Sequence, residues 1–156
     1  MGDPRRIKKK YQKPRHPWRA DRLEEEKKIL KTYGLKNKRE IWRAETLTRG
    51  FRRQARKLFA LRTEQAKKEE RQLLDRLKRL NLIKGDATLD DVLALKTEDI
   101  LGRRLQTVVF KKGLARTVNQ ARQLIVHGHV SVKGEKVTAP GYLVIAGEED
   151  KIQAEG

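Results

Sequence analysis

Up to His127 the apolar residues of this chain recur every three to four positions, and after Gly128 they recur every second position. That change of period limits the possible folds more than any other feature. A 3.6-residue spacing lines one face of a helix, whereas a two-residue spacing lines one face of a strand. The expectation is an α+β protein: a helical N-terminal region followed by two short helices and a small antiparallel sheet.

The helix boundaries follow from capping residues. Asp21, with Glu24 three positions later, reads as a capping box that opens a helix to about Tyr33. Gly34 can close it with a left-handed cap. Asn37 and Glu40 open the next helix, Lys38 to about Arg62, with Ile41, Ala44, Thr48, Phe51, Ala55 and Leu58 on one face. Thr63 caps a third, burying Ala66, Leu73, Leu77 and Leu80. Thr88 and Asp91 start a short fourth that holds Val92, Leu93 and Leu95. From Glu98 one helix is predicted to run to about Lys112, burying Leu101, Leu105, Val108 and Val109. Thr117 with Gln120 forms a further capping box, and the last helix runs to His127 with Ala121, Leu124 and Ile125 inside. Val130, Val132 and Val137 then flank a hairpin turn at Lys133-Gly134, closed by Pro140. Tyr142 to Ile145 and Lys151 to Gln153 read as two more strands around the turn Gly147–Asp150. Pro4, Pro14 and Pro17 break any helix before that, so the predicted parts are a basic mobile arm (1–20), a helical domain (21–96) and a two-helix and small-sheet module (97–156).

Charge decides the class of partner. Charged side chains make up 38% of the 156 residues, and 39 Lys and Arg against 21 Asp and Glu leave a formal +18. The excess lies in three segments, 1–22, 36–79 and 103–136, while 85–100 and 137–156 are acidic. A chain this basic repels itself, and a polyanion relieves the repulsion while releasing its own counterions. Nucleic acid fits better than an anionic membrane. No helical pattern has the wide apolar face of an interfacial helix, and no apolar run reaches the ~20 residues of a membrane span.

The candidate RNA-binding residues follow the basic segments. Arg5, Arg6, Lys8, Lys9 and Lys10 lie on the arm, where Tyr11 and Trp18 can stack on a base or pack on the following helices. Lys38, Arg39, Arg43, Arg49, Arg52, Arg53 and Arg56 lie on the long second helix. Arginine matters there, since its planar fork meets phosphate at two points. Arg103 and Arg104 are expected to stand exposed beside the buried Leu101 and Leu105, on a rigid support. Lys111 and Lys112 close that helix, and Arg116 precedes the next, which carries Gln120, Arg122 and Gln123. His127 and His129 are expected to pack or to touch RNA at the helix end. Two basic helices at an angle make a reader of RNA shape rather than of base sequence.

Other chemistry has little support. The chain has no cysteine, which excludes disulfides, thiolate nucleophiles and Cys-ligated metals. His127 and His129 are half a metal site without further ligands at a recognisable spacing. Glu24, Glu25 and Glu26 read as a solvated helix start, and Glu148 and Glu149 as an acidic turn away from RNA. No catalytic residue, metal or cofactor is expected.

The run RRLQTVVFKKGLARTVNQARQLIVHGHVSVKGEKVTAPGYLV, Arg103 to Val144, resembles the RNA-binding module named after the fourth small-subunit ribosomal protein, S-four. YGLKNKREIWR (Tyr33 to Arg43) and DDVLALKTEDIL (Asp90 to Leu101) are similar to the archaeal and eukaryotic branch of that protein family. The resemblance implies a primary binder of small-subunit ribosomal RNA that holds a multi-helix junction in the 5′ domain and nucleates assembly. It implies contacts with neighbouring small-subunit proteins and with messenger RNA where it enters, and a cytoplasmic place in the small subunit without membrane or small-molecule substrate. By motif it turns Arg103, Arg104, Lys111, Arg116, Arg122, Gln123, His127 and His129 towards RNA. Bacterial relatives can carry N-terminal cysteines for a metal, and archaeal relatives run on past the sheet, whereas this sequence stops at Gly156. The competing readings are a fragment of an RNA-modifying enzyme, which turnover on RNA would reveal, and a free-standing factor for stalled ribosomes or heat shock. A DNA-binding architectural protein is a third, marked by equal affinity for duplex DNA and junction RNA.

Overall fold

The computed structural model describes residues 9–61, 63–85 and 87–154. Helix α1 (Ala20–Thr32) turns back through Gly34 into the long helix α2 (Lys38–Ala60). Ile41, Ala44, Thr48, Phe51, Ala55 and Leu58 are buried along α2, the stripe that its spacing predicts. Helix α3 (Glu64–Arg79) starts at Thr63, whose hydroxyl accepts a hydrogen bond from the Ala66 N–H at 3.2 Å. Leu80 is half-buried there rather than part of the buried row. Helix α4 (Leu89–Ala94) starts with the Thr88 N–H donating to the Asp91 carboxylate at 2.8 Å. Helix α5 (Thr97–Gly102) follows. Phe51, Leu58, Leu77, Val92, Ile100 and Leu101 belong to one core. Each such side chain contributes roughly 1.5–3 kcal/mol by leaving water.

The single helix expected from Glu98 to Lys112 is two helices. α5 ends at Gly102, Arg104 is extended (φ −71°, ψ 142°), and α6 (Leu105–Lys111) begins after it. The break serves both cores: Leu101 belongs to the first, and Leu105, Val108 and Val109 to a second. The backbone groups freed there are taken up by the later chain. The Leu105 N–H donates to the Tyr142 carbonyl at 2.8 Å, and the Val144 N–H to the Arg103 carbonyl at 3.0 Å. Leu143 thus pairs with Arg104 as an isolated bridge, not within the strand expected from Tyr142 to Ile145.

Helix α7 (Val118–Val126) packs on α6 and buries Ala121 and Ile125. The Thr117 hydroxyl accepts from the Gln120 N–H, while the Gln120 side chain accepts from the Arg116 N–H, so the expected box closes one residue early. Strands β1 (Val130–Val132), β2 (Glu135–Lys136) and β3 (Ile152–Ala154) form an antiparallel sheet in the order β2-β1-β3. Lys133 and Gly134 both have positive φ (55° and 85°), as a two-residue hairpin turn requires. The expected turn at Gly147–Asp150 is a 3-10 helix, Ala146–Lys151. At the N-terminal end α1 begins after Arg19 with no side-chain cap, so Asp21 does not act as one. Of the expected mobile arm, residues 1–8 lie outside the described residues. Within residues 9–19, Tyr11 and Gln12 contact α2: the Gln12 N–H donates to Thr46 Oγ1 at 3.0 Å, and the Tyr11 ring lies 6.0 Å from that of Trp42.

Candidate nucleic-acid interface

Helix α2 has two opposite faces. Its buried stripe follows the positions 41, 44, 48, 51, 55 and 58, so residues 39, 43, 49, 53 and 56 fall on the outer side. Arg39, Arg43, Arg49, Arg53 and Arg56 are all exposed there. Arg49 donates to Gln12 Oε1 at 2.7 Å, which holds the arm in place. Two other candidates on this helix are engaged internally. Arg52 is half-buried and donates to the Leu95 carbonyl. Lys38 pairs with Glu26 at 3.1 Å.

Glu26 is 3% exposed, so the solvated helix start expected for it is corrected. It accepts from Arg22 Nε at 2.9 Å and from Trp42 Nε1 at 3.0 Å as well as from Lys38. Burial pushes its carboxyl upward, and these three donors outweigh burial and hold it below the usual carboxylate range.

The expectation that Arg103 and Arg104 stand exposed is also corrected. Arg104 is 7% exposed and donates to Glu40 Oε2 at 2.5 Å. Arg122, from α7, donates to Glu40 Oε1 at 2.8 Å. One carboxylate at the start of α2 therefore gathers an arginine from just before α6 and another from α7. Gln106, 1% exposed, completes the joint: Nε2 donates to the Gly34 and Val118 carbonyls at 2.9 and 3.1 Å, and Oε1 accepts from Arg122. Burial raises the Glu40 carboxyl, but the bonds from Arg122 and Arg104 prevail and keep it below the usual range. Gly34 (φ +55°) sits against this joint, where an added Cβ would meet Asn119 Oδ1 at 2.8 Å.

Arg103 makes the second clasp. Its guanidinium donates to the Val144 carbonyl at 3.2 Å and pairs with Glu149, which also accepts from Asn81 after α3. Lys112 donates to the Glu149 backbone carbonyl. Arg103 holds the Glu149 carboxyl below the usual range. Glu148 is buried rather than free on a turn, and it accepts from Lys133 Nζ at 2.8 Å, Tyr142 Oη at 2.9 Å and the Ile145 N–H at 3.2 Å. The Lys133 bond keeps it ionised below the usual range.

The remaining candidates are on the surface. Lys9, Lys10, Lys111, Lys112, Arg116, Gln120, Gln123, His127 and His129 are exposed, whereas Arg5, Arg6 and Lys8 lie outside the described residues. The His127 and His129 rings are 6.2 Å apart. Among the described residues no group of three His, Cys, Asp or Glu could hold a metal, and no helix is long and apolar enough to cross a membrane. Sequence reasoning missed Glu40 and Gln106. Glu40 carried only a helix-start signal, and nothing local marks its arginine partners 64 and 82 positions away.

Known proteins match on both sides of the end of α5 at Gly102. The family model of the ribosomal protein S4/S9 N-terminal domain matches residues 5–102, and that of the S4 domain matches residues 103–150. The small ribosomal subunit protein uS4 of Methanothermobacter thermautotrophicus is 53% identical over 97% of this chain and 89% of its own. Those of Sulfurisphaera tokodaii and Hyperthermus butylicus are 54% and 55% identical over 97% of this chain and 86% of theirs. With both domains matched in order and more than half the residues shared over nearly its whole length, the chain belongs to the ribosomal protein S4 family.

Proposed function

We propose that this protein is a structural constituent of the small ribosomal subunit in the cytoplasm, and that it binds small-subunit ribosomal RNA through the phosphate backbone. The observation that supports this reading is a division among the arginines. Arg22, Arg103, Arg104 and Arg122 pair with carboxylates inside the protein. Arg39, Arg43, Arg53 and Arg56 are exposed on α2 and make no ion pair with any described residue. Cations held on a rigid helix with no protein counter-charge are suited to phosphate. On the module the exposed Lys111 and Arg116 play the same part, and the exposed Gln120, Gln123, His127 and His129 add hydrogen-bonding groups beside them. Arg104 and Arg122 serve RNA indirectly, by fixing the module against α2, and Arg103 does so by holding Glu149, which accepts from Asn81 after α3.

The role is binding rather than catalysis. Glu26, Glu40, Glu148 and Glu149 are each tied up by cations, which suits clasps and not proton transfer. The 5′-domain junction, the neighbouring ribosomal proteins and the place where messenger RNA enters belong to the same proposal. The test is affinity for a transcript of the small-subunit 5′ domain across a salt series, with footprinting of the complex. Affinity should fall steeply with salt, and equal affinity for duplex DNA of the same length would overturn the reading.

A further inference from the structure

Trp18 is 88% exposed, the most exposed large apolar side chain among the described residues. Trp is normally well covered in a folded chain. Two other aromatic side chains of the N-terminal part are occupied. Tyr11 lies against Trp42, and the Trp42 indole N–H is bonded to Glu26. Among the described residues the Trp18 ring has no ring, cation or hydrogen-bond partner.

Its sequence neighbours are basic. From Lys9 to Ala20 there are five cations, Lys9, Lys10, Lys13, Arg15 and Arg19, and no carboxylate. The stretch is tied to α2 at Gln12, and Trp18 lies two residues before the start of α1. Pro17, immediately before it, further limits the backbone. The first carboxylate, Asp21, is 4.0 Å from the Arg19 guanidinium.

We propose that Trp18 is a stacking platform for an unpaired RNA base, with the flanking cations on the adjoining phosphates. The proposal rests on the RNA-binding reading above and adds a ligand class to it: single-stranded nucleotides beside the structured junction. An exposed indole has a π face that any base can cover, and cations alongside follow the backbone. A protein partner would require a contiguous apolar patch, and the chain neighbours of Trp18 supply only Pro17 and Ala20.

The experiment uses the full chain labelled with 5-fluorotryptophan, whose two ¹⁹F resonances are assigned with Trp18→Phe. The probes are the 5′-domain transcript, a single-stranded oligoadenylate and an abasic chain of equal length. The Trp18 resonance should shift with the transcript and with oligoadenylate, and not with the abasic chain. Trp18→Ala should weaken transcript binding about 5- to 150-fold, the span of single-base stacking. Trp18→Phe should keep most of the affinity, while Trp18→Leu should lose as much as Ala. Unchanged binding by Trp18→Ala, with the wild type still binding the transcript, would overturn the stacking site and leave the RNA-binding reading intact. If the wild type itself fails to bind the transcript, that reading fails, and the oligoadenylate and abasic pair still decides Trp18: equal binding overturns stacking. If Trp18→Ala binds RNA normally but is lost from assembled subunits, the ring docks on protein and the proposal is overturned.

Discussion

Glu40 and Arg104 are 64 positions apart in sequence and 2.5 Å apart in the fold, and Arg122 completes the cluster from the next helix. The carboxylate is at the start of α2 and both arginines are in the C-terminal module, so this contact sets the angle between the two basic parts. Removing Glu40 leaves Arg104 buried with its charge unmatched. Glu40→Ala should therefore destabilise the protein by roughly 3 kcal/mol, the range for breaking a buried pair from one side. Urea unfolding with tryptophan fluorescence measures it. A loss under 1 kcal/mol would mean that the clasp is not needed to hold the module.

Acid should loosen this joint and the other carboxylate clasps. Glu26, Glu40, Glu148 and Glu149 all lie below the ordinary carboxylate value of 4.5 when folded. A depressed group stabilises the fold fully above its unfolded pKa, and that contribution is lost as pH falls through the folded value. Stability should be level in this respect down to about pH 4.5 and then decline. Glu40→Gln should be less stable at neutral pH and decline less steeply. Denaturant midpoints between pH 7 and pH 2 give both slopes.

Two glycines should respond in opposite directions. Gly34 has φ +55° and its added Cβ would strike Asn119, so Gly34→Ala should cost at least the ~1–2 kcal/mol of a left-handed residue. Gly50 lies on the exposed side of α2 with nothing within 4 Å of an added Cβ. Gly50→Ala should stabilise the helix by about 0.5–1 kcal/mol. Thermal unfolding of the two variants checks the pair together.

On the outer face of α2, Arg53→Ala and Arg56→Ala should change stability by no more than ~0.5 kcal/mol. If each arginine meets a phosphate, each change should lower the slope of log affinity against log salt by about 1. Arg104→Ala should lose stability first. Equal salt slopes for wild type and the α2 variants would remove this face from the RNA contact.

Local signals carried much of the fold. The stripe on α2, the caps at Thr63, Thr88 and Thr117 and the hairpin at Lys133-Gly134 depend on residues within a few positions of one another. Spacing and turn chemistry determine such features before any tertiary contact forms. The basic excess and its division into segments were equally legible, because they are sums over the chain. The break at Arg104 was not, since Leu101 and Leu105 keep a helical spacing while belonging to different cores. Nor did the sequence separate the arginines. Arg53 and Arg104 are the same residue on similar helical patterns, yet one is exposed and the other 7% exposed against Glu40. Whether a cation remains available to an outside anion depends on whether the fold brings a carboxylate to it from dozens of residues away. That juxtaposition is a property of the tertiary structure alone.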